Sequence, residues 1–263
     1  MSARTASLAK AKRSLSERVS PEEWRVRVDL AACYRLVAHY RWDDLVFTHI
    51  SARVPGEARA FLLNPYGMMF EEITASSLVK LDFDGNVMLP SEEYGVNLAG
   101  FTIHSAVLMA RPDVGSVIHL HSRDGAAVSA QQEGLLPLTQ TAMIARAFLA
   151  YHDYEGIALD LGERERLVKD LGDKCLMMLR NHGTLGCGPT VADAFVRIFT
   201  LERACEMQVA ALAGGRALTI PSEEAQQTVA RQVEESANAD RPGDLAWPAL
   251  LRMLDRADAS YRE

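Results

Sequence analysis

The amino-acid sequence predicts an α/β fold, with helices packed on the faces of a mostly antiparallel sheet. Apolar segments of strand length recur through the first two thirds of the chain, and turn residues separate some of them closely enough for hairpins. Amphipathic helical segments lie between these strands, but without the regular alternation that a doubly wound parallel sheet requires. We therefore expect a sheet built mainly from antiparallel pairs.

The strands are predicted from apolar runs and from alternation of apolar and polar residues. They cover residues 46–53, 61–63, 79–83, 86–89, 114–121 and 175–179. Asp84-Gly85 is a typical hairpin turn and joins the third of these strands to the fourth.

Capping residues mark the predicted helices. Ser20, followed by Pro21 and by Glu23 at the third helical position, opens the first helix. Asn97 and Thr190 are expected to cap two more helices, and a further helix is expected at residues 161–171. The helix that begins after Thr190 should stop at Gly214-Gly215. The last fifty residues read as two helices joined at residues 239–243.

Composition limits the class of protein. The 263 residues are 48% hydrophobic and 24% charged, with a net charge of −7 and a pI near 5.6. An acidic chain argues against nucleic acid as a partner, and no apolar run reaches the roughly 18 residues of a membrane span. The cysteines are scattered, without a Cys-x-x-Cys pair, at Cys33, Cys175, Cys187 and Cys205. We expect reduced thiols and a cytoplasmic protein that binds neither nucleic acid nor membrane.

One domain is expected. Residues 1–20 are basic and lack the apolar stretch of a secretory signal, so they are interpreted as a flexible tail, although a transit peptide would have a similar composition. Residues 21–215 contain no segment typical of a linker and are assigned to a single domain. Residues 216–263 are expected to form a helical extension packed on that domain.

Three histidines carry the strongest chemical signal. His119 and His121 end a predicted strand, and side chains two residues apart on a strand point to the same face. Two imidazoles on one rigid face supply half of a transition-metal site. His182 follows another predicted strand, and Gly183 lets the chain turn directly after it. The alternative for each histidine is a structural hydrogen bond without a metal.

The sequence around these histidines resembles the class II aldolase and adducin-head family. The likeness runs in order through residues 22–213. The matching stretches are Gly100-Phe101-Thr102-Ile103-His104, Ala110-Arg111-Pro112-Asp113-Val114-Gly115, Val117-Ile118-His119-Leu120-His121 and Leu179-Arg180-Asn181-His182-Gly183.

This resemblance implies a three-layer α/β/α sandwich around a mostly antiparallel central sheet. It also implies a homotetramer whose sites lie between subunits and bind a small-molecule substrate. His119, His121 and His182 would hold a divalent metal, most often Zn(2+), with positions left open for that substrate. Three imidazoles also accept Fe(2+), Mn(2+) or Co(2+).

The chain departs from the family's sugar-phosphate aldolases at their catalytic glutamate. That residue lies one helical turn before the histidine that matches His104, and here the position is Gly100, which has no proton to exchange. Glu92 and Glu93 precede the helix and are not assigned the role.

The positions that bind phosphate in those aldolases are also altered. Leu98 and Ala99 replace small hydroxyl residues, and His49 replaces an asparagine. Apolar side chains offer nothing to a phosphate dianion, so we hypothesise a substrate without phosphate.

The best candidates for proton transfer lie in the segment 151–156. His152, Tyr154 and Glu155 can each act as an acid, a base or a fourth ligand, and family members carry tyrosines in the equivalent loop. The alternative is that these polar groups satisfy one another at a subunit interface.

The remaining candidates line the substrate pocket or have structural roles. His49, Tyr66, Gly67 and Gly100 are assigned to substrate binding. His104 is expected either to support the site from behind or to pack in its helix, in each case through a structural hydrogen bond. Cys187 is expected to be a small buried hydrophobe.

Together these features favour a metal-dependent lyase that carries out retro-aldol cleavage or decarboxylation of a small hydroxy- or oxo-acid. Two alternatives stay open, a non-haem Fe(II) oxygenase and a non-catalytic, adducin-like scaffold.

Overall fold

The structure is a computed structural model that describes residues 14–90, 94–156, 162–236 and 241–263. Within these ranges the strands are β1 (His49–Arg53), β2 (Ala60–Leu63), β3 (Val79–Asp82), β4 (Val87–Leu89), β5 (Ser116–Leu120), β6 (Leu149–His152), β7 (Leu176–Leu179) and β8 (Gly183–Gly188). The α-helices are α1 (Pro21–His39), α2 (Leu98–Ala110), α3 (Arg123–Ser129), α4 (Gln140–Ala147), α5 (Glu163–Leu171), α6 (Val191–Ala213), α7 (Glu223–Glu234) and α8 (Gly243–Ala257).

All eight described strands form one sheet in the order β4-β3-β2-β1-β5-β8-β7-β6. Neighbouring strands are antiparallel, except that β6 pairs with β7 in parallel. The expected mostly antiparallel sheet is confirmed.

Helices cover both faces of the sheet. Helices α2 and α5 pack together on one face, and α1 and α6 pack on the other, where α3, α4 and α8 contact α6. Apolar side chains from both faces form one buried core. The architecture is therefore the three-layer α/β/α sandwich expected from the sequence.

Local signals place several of these elements correctly. The Ser20 hydroxyl accepts the Glu23 N–H at 3.0 Å, and the Thr190 hydroxyl accepts the Asp193 N–H at 3.1 Å, so both predicted N-caps are formed. The turn at Gly85 joins β3 to β4 as a hairpin. Helices α3 and α4 and strands β6 and β8 are additional to those predicted.

The C-terminal helix α8 packs on α6 and α1. Trp247 is buried there, its indole N–H donates to Asp29 at 2.9 Å, and its ring lies 5.8 Å from that of Phe195. Several predictions concern residues outside the described ranges, namely the tail over residues 1–13, Glu92, Glu93, and residues 239–240 of the joint between the last two helices. No helix in the described part of the chain is long and apolar enough to cross a membrane.

Candidate metal centre

Strand β5 presents two imidazoles at one end of the sheet. His119 is buried within the strand and stands opposite His49 of β1 and Leu185 of β8. His121 comes directly after the strand and keeps 24% of its side chain exposed. Their ring centroids are 4.8 Å apart, so the two-residue spacing places both imidazoles together as expected.

The turn between β7 and β8 supplies the third imidazole. Asn181 adopts a left-handed conformation with φ of 57°, and its N–H donates to the Ser129 carbonyl at 3.2 Å. The His182 N–H donates to the Ser129 hydroxyl at 3.2 Å and to the Leu179 carbonyl at 3.1 Å. Helix α3 therefore holds the turn in the conformation that carries His182 to the other two histidines.

The Nε2 atoms of the three histidines converge on one point. The Nε2 of His121 lies 3.0 Å from that of His119 and 2.9 Å from that of His182. The potential ligand atoms of all three lie within 4.8 Å of one another. Imidazoles about 2.1 Å from a tetrahedral metal have nitrogens roughly 3.4 Å apart, so the cluster has the dimensions of a metal site.

The outer nitrogens are held by acceptors. His119 Nδ1 donates to the Thr184 carbonyl at 3.0 Å, and His121 Nδ1 donates to the Asp44 carboxylate at 3.2 Å. A neutral ring that carries its proton on Nδ1 has an unprotonated Nε2, and two such Nε2 atoms at this distance repel unless a cation or a proton lies between them. The donor set fits a divalent metal.

Burial keeps this cluster in the form that binds metal. Desolvation and the neighbouring imidazoles hold the pKa of His119 well below its usual range and lower that of His182 to about 4. Both rings are therefore neutral at pH 7, and a neutral imidazole is the form that coordinates a metal.

A buried carboxyl group on α6 supports the cluster from behind. Glu202 accepts a hydrogen bond from the hydroxyl of Ser122, the residue after His121. It accepts another from the Thr184 hydroxyl at 2.5 Å. Desolvation raises the pKa of Glu202 to about 7. The Thr184 carbonyl in turn holds His119. Glu202 therefore connects helix α6 to the residue after His121 and to the residue that holds His119.

A fourth imidazole adjoins the cluster without belonging to it. The His49 ring lies 5.1 Å from that of His119, and His49 Nδ1 lies 2.8 Å from His104 Nε2. The ring also fills the space beside Gly100, where an added Cβ would lie 2.6 Å from His49 Cδ2. A larger side chain at Gly100 and the present position of His49 exclude each other.

Comparison with known proteins decides the family. The profile of the Class II Aldolase and Adducin N-terminal domain matches residues 28–209. The chain belongs to this family. A Caulobacter vibrioides protein, provisionally named as a class 2 aldolase, is 57% identical over 95% of this chain and 96% of its own.

Two further relatives show the range of this aldolase/adducin family. The structure of L-fuculose 1-phosphate aldolase from Glaciozyma antarctica is 27% identical with a TM-score of 0.80, covering 92% of this chain and 93% of that one. Mouse alpha-adducin is 41% identical over 88% of this chain but only 33% of the adducin.

The three residues proposed for proton transfer occupy different environments. Tyr154 is 54% exposed, and its ring lies 6.4 Å from that of His182. His152 ends strand β6, so it is not in a loop; it is buried, with Nδ1 2.7 Å from Asp170. Glu155 is bound by Arg166 through bonds of 2.5–2.8 Å, which lower the pKa of its carboxyl group. Of the three, Tyr154 is an exposed side chain whose ring approaches a histidine of the cluster.

Two of the other predicted pocket residues lie beside the histidine cluster, and two have contacts elsewhere. His49 and Gly100 adjoin the histidine cluster, whereas Tyr66 pairs through its backbone with Gly95, and Gly67 has φ of 118° and approaches the Tyr94 ring. The side chains of Leu98 and Ala99 lie outside the described part of the structure.

Sequence reasoning missed the residues that hold the imidazoles in place. Asp44, Thr184 and Glu202 are separated from the histidines that they support by a strand or a helix, and nothing in their own local pattern marks them. His104 was expected to have a structural hydrogen bond, and both of its nitrogens are hydrogen-bonded, to His49 and to Ser51.

Proposed function

We propose that this chain is a metal-dependent lyase that cleaves a carbon–carbon bond in a small, non-phosphorylated hydroxy- or oxo-acid. The observation that carries the proposal is the convergence of three imidazoles, two of which are fixed by Thr184 and Asp44 with their Nε2 atoms facing each other. Membership of the class II aldolase and adducin family supports the same conclusion.

His119, His121 and His182 would hold the metal, which we assign as zinc. When bound, the metal polarises a substrate oxygen and stabilises the charge that develops as the bond breaks. The chain's own contribution is to keep the His119 and His182 rings neutral by burial, and to aim the His119 and His121 rings through the hydrogen bonds of their Nδ1 atoms.

Proton transfer is assigned to Tyr154. Retro-aldol cleavage removes a proton from the substrate hydroxyl and returns one to the new carbanion carbon, whereas decarboxylation needs only the second step. Tyr154 lies beside His182 and is 54% exposed, so we assign its hydroxyl to reach a bound substrate. The buried His152 and the Arg166-bound Glu155 would orient the segment that carries Tyr154.

The absence of phosphate from the proposed substrate follows from the residues at the expected phosphate positions. The L-fuculose 1-phosphate aldolase is a relative with a phosphorylated substrate in its name. Here Leu98, Ala99 and His49 stand where the family's phosphate ligands are expected, and Gly100 stands in place of the catalytic glutamate. We further propose a cytoplasmic homotetramer with sites at subunit interfaces and no nucleic-acid or membrane partner.

A second candidate is a non-catalytic scaffold. The identity to mouse alpha-adducin over most of this chain supports it. A scaffold has no need of three histidines poised to bind a metal, so metal binding together with metal-dependent turnover distinguishes the lyase from the scaffold.

The test begins with metal content. Untagged protein would be stripped with chelator, reloaded, and analysed by plasma mass spectrometry beside a His119→Ala/His121→Ala control. One zinc per chain, lost in the control, together with metal-dependent cleavage of a hydroxy- or oxo-acid, is the expected result. One iron with substrate-dependent oxygen uptake would favour the oxygenase instead. Failure to bind any metal, or metal binding without cleavage of any hydroxy- or oxo-acid tested, would favour the scaffold.

A further inference from the structure

A chain of three buried polar side chains leads from the core to the metal centre. The Ser51 hydroxyl lies 2.5 Å from His104 Nδ1, and His104 Nε2 lies 2.8 Å from His49 Nδ1. Ser51 and His104 are fully buried, and His49 is 2% exposed. The chain crosses from strand β1 to helix α2 and back.

The His104 imidazole in this chain is neutral, because burial lowers its pKa to about 3. A neutral imidazole carries one N–H and one lone pair, so the His104 ring donates through one nitrogen and accepts through the other.

Counting protons fixes the direction of the chain. Within the described residues His104 is the hydrogen-bond partner of the Ser51 hydroxyl, and a buried hydroxyl must place its proton on an acceptor. Ser51 therefore donates to His104 Nδ1. His104 then carries its proton on Nε2 and donates to His49 Nδ1, which leaves the proton of His49 on Nε2.

This proton lies on the ring edge that faces Gly100, the position of the catalytic glutamate in the family's sugar-phosphate aldolases. The Cδ2–Nε2 edge of His49 lies over Gly100, 2.6 and 3.1 Å from the position of an added Cβ. The ring also contacts that of His119. An Nε2 that carries a proton cannot ligate a metal, which accounts for a cluster of three ligands beside a fourth imidazole.

We propose that His49 is a neutral hydrogen-bond donor to a negatively charged oxygen of the substrate, and that Ser51 and His104 are positioning residues that set its tautomer. The inference rests on the proposed function and narrows it. The bare α-carbon of Gly100 leaves room for the His49 ring, and the donor that results favours a carboxylate or a developing oxyanion next to the metal.

The first test needs neither metal nor substrate. Long-range ¹H–¹⁵N spectra of metal-free protein labelled with [¹⁵N]histidine report which nitrogen of each ring is protonated, and His49→Gln assigns the His49 signals. We expect His49 and His104 both to be protonated on Nε2. Ser51→Ala should abolish this preference, whereas Ser116→Ala, which removes a buried hydroxyl bonded to the Ser51 carbonyl, should preserve it. Protonation of His49 on Nδ1 in the unmodified protein overturns the proposal without any variant.

The second test addresses the donor itself. Calorimetry of zinc-loaded protein with oxalate should show about 10- to 100-fold weaker binding for His49→Phe, since a hydrogen bond to a charged group is lost, with the zinc content unchanged. Equal oxalate affinity in His49→Phe and in the unmodified protein would refute the donor role. Neither result depends on turnover, so failure to find a lyase substrate would leave the tautomer and the anion site intact.

Discussion

Adding one methyl group at Gly100 is expected to destabilise this protein, although glycine to alanine inside a helix is ordinarily favourable by about 1 kcal/mol. The Cβ of Gly100→Ala would lie 2.6 Å from His49 Cδ2 and 2.8 Å from Cγ. These atoms belong to a ring that is tied to His104 at 2.8 Å, so they cannot move aside freely.

The size of the effect follows from the displacement that is needed. Bringing the shortest contact to 3.4 Å requires the ring to move by about 0.8 Å, which breaks the hydrogen bond to His104 or strains the helix. Overpacking costs about 1–3 kcal/mol, and a buried polar group that loses its partner costs about 1–3 kcal/mol. After the gain in helix propensity, we expect the free energy of unfolding to fall by about 2 kcal/mol.

Urea unfolding of metal-free protein measures this change. Gly214→Ala is the matched control, because its Cβ would meet only Arg216 Cγ at 3.8 Å, an ordinary contact. His49→Ala combined with Gly100→Ala should recover much of the loss by removing the clash. If Gly100→Ala alone were as stable as the unmodified protein, the packing of His49 on Gly100 described here would be wrong. Gly100→Glu, which restores the aldolase residue, should be tolerated only together with His49→Asn.

Three further outcomes are expected. The pKa of His104 falls from 6.5 to about 3 on folding, so between these pH values the unfolded state binds a proton that the folded state does not. The free energy of unfolding of metal-free protein should therefore be highest above pH 6.5 and fall as the pH is lowered toward 3, by up to about 1.4 kcal/mol per pH unit for this group. Urea unfolding at a series of pH values should show a smaller dependence of this free energy on pH for His104→Gln. Asn181→Gly should be nearly neutral in thermal unfolding, whereas Asn181→Ala should lose about 1 kcal/mol because φ is 57°; equal losses would contradict a strained turn. Chelation should lower Tm in the unmodified protein but not in His182→Ala, and a Tm insensitive to added zinc at concentrations far above Kd would argue against a metal centre.

Much of the fold can be predicted from local sequence patterns, and the elements that were missed have identifiable physical causes. Caps at Ser20 and Thr190 and the Asp84-Gly85 turn depend on neighbouring residues alone, and they were predicted correctly. Strand β8 was missed because glycine is rare in strands. Its glycines are required by α6, since a Cβ at Gly186 would lie 2.9 Å from Ile198 and one at Gly188 2.7 Å from the Ala194 nitrogen.

The candidate site shows the same division. The His-x-His spacing places His119 and His121 together through strand periodicity, and the family resemblance adds His182. The partners of their outer nitrogens could not be predicted, because Asp44 and Thr184 come from segments 77 and 65 residues away from the histidines they contact. Such pairs exist only once the sheet has its strand order.

That strand order also governs when a metal can be captured. His121 and His182 are 61 residues apart, and the cluster needs β5 and β8 paired and the β7–β8 turn closed against α3. Contacts this distant in sequence form late, because the entropy of closing the intervening chain must be overcome first. Zinc should therefore bind a nearly finished protein: it should slow unfolding and leave the refolding rate almost unchanged.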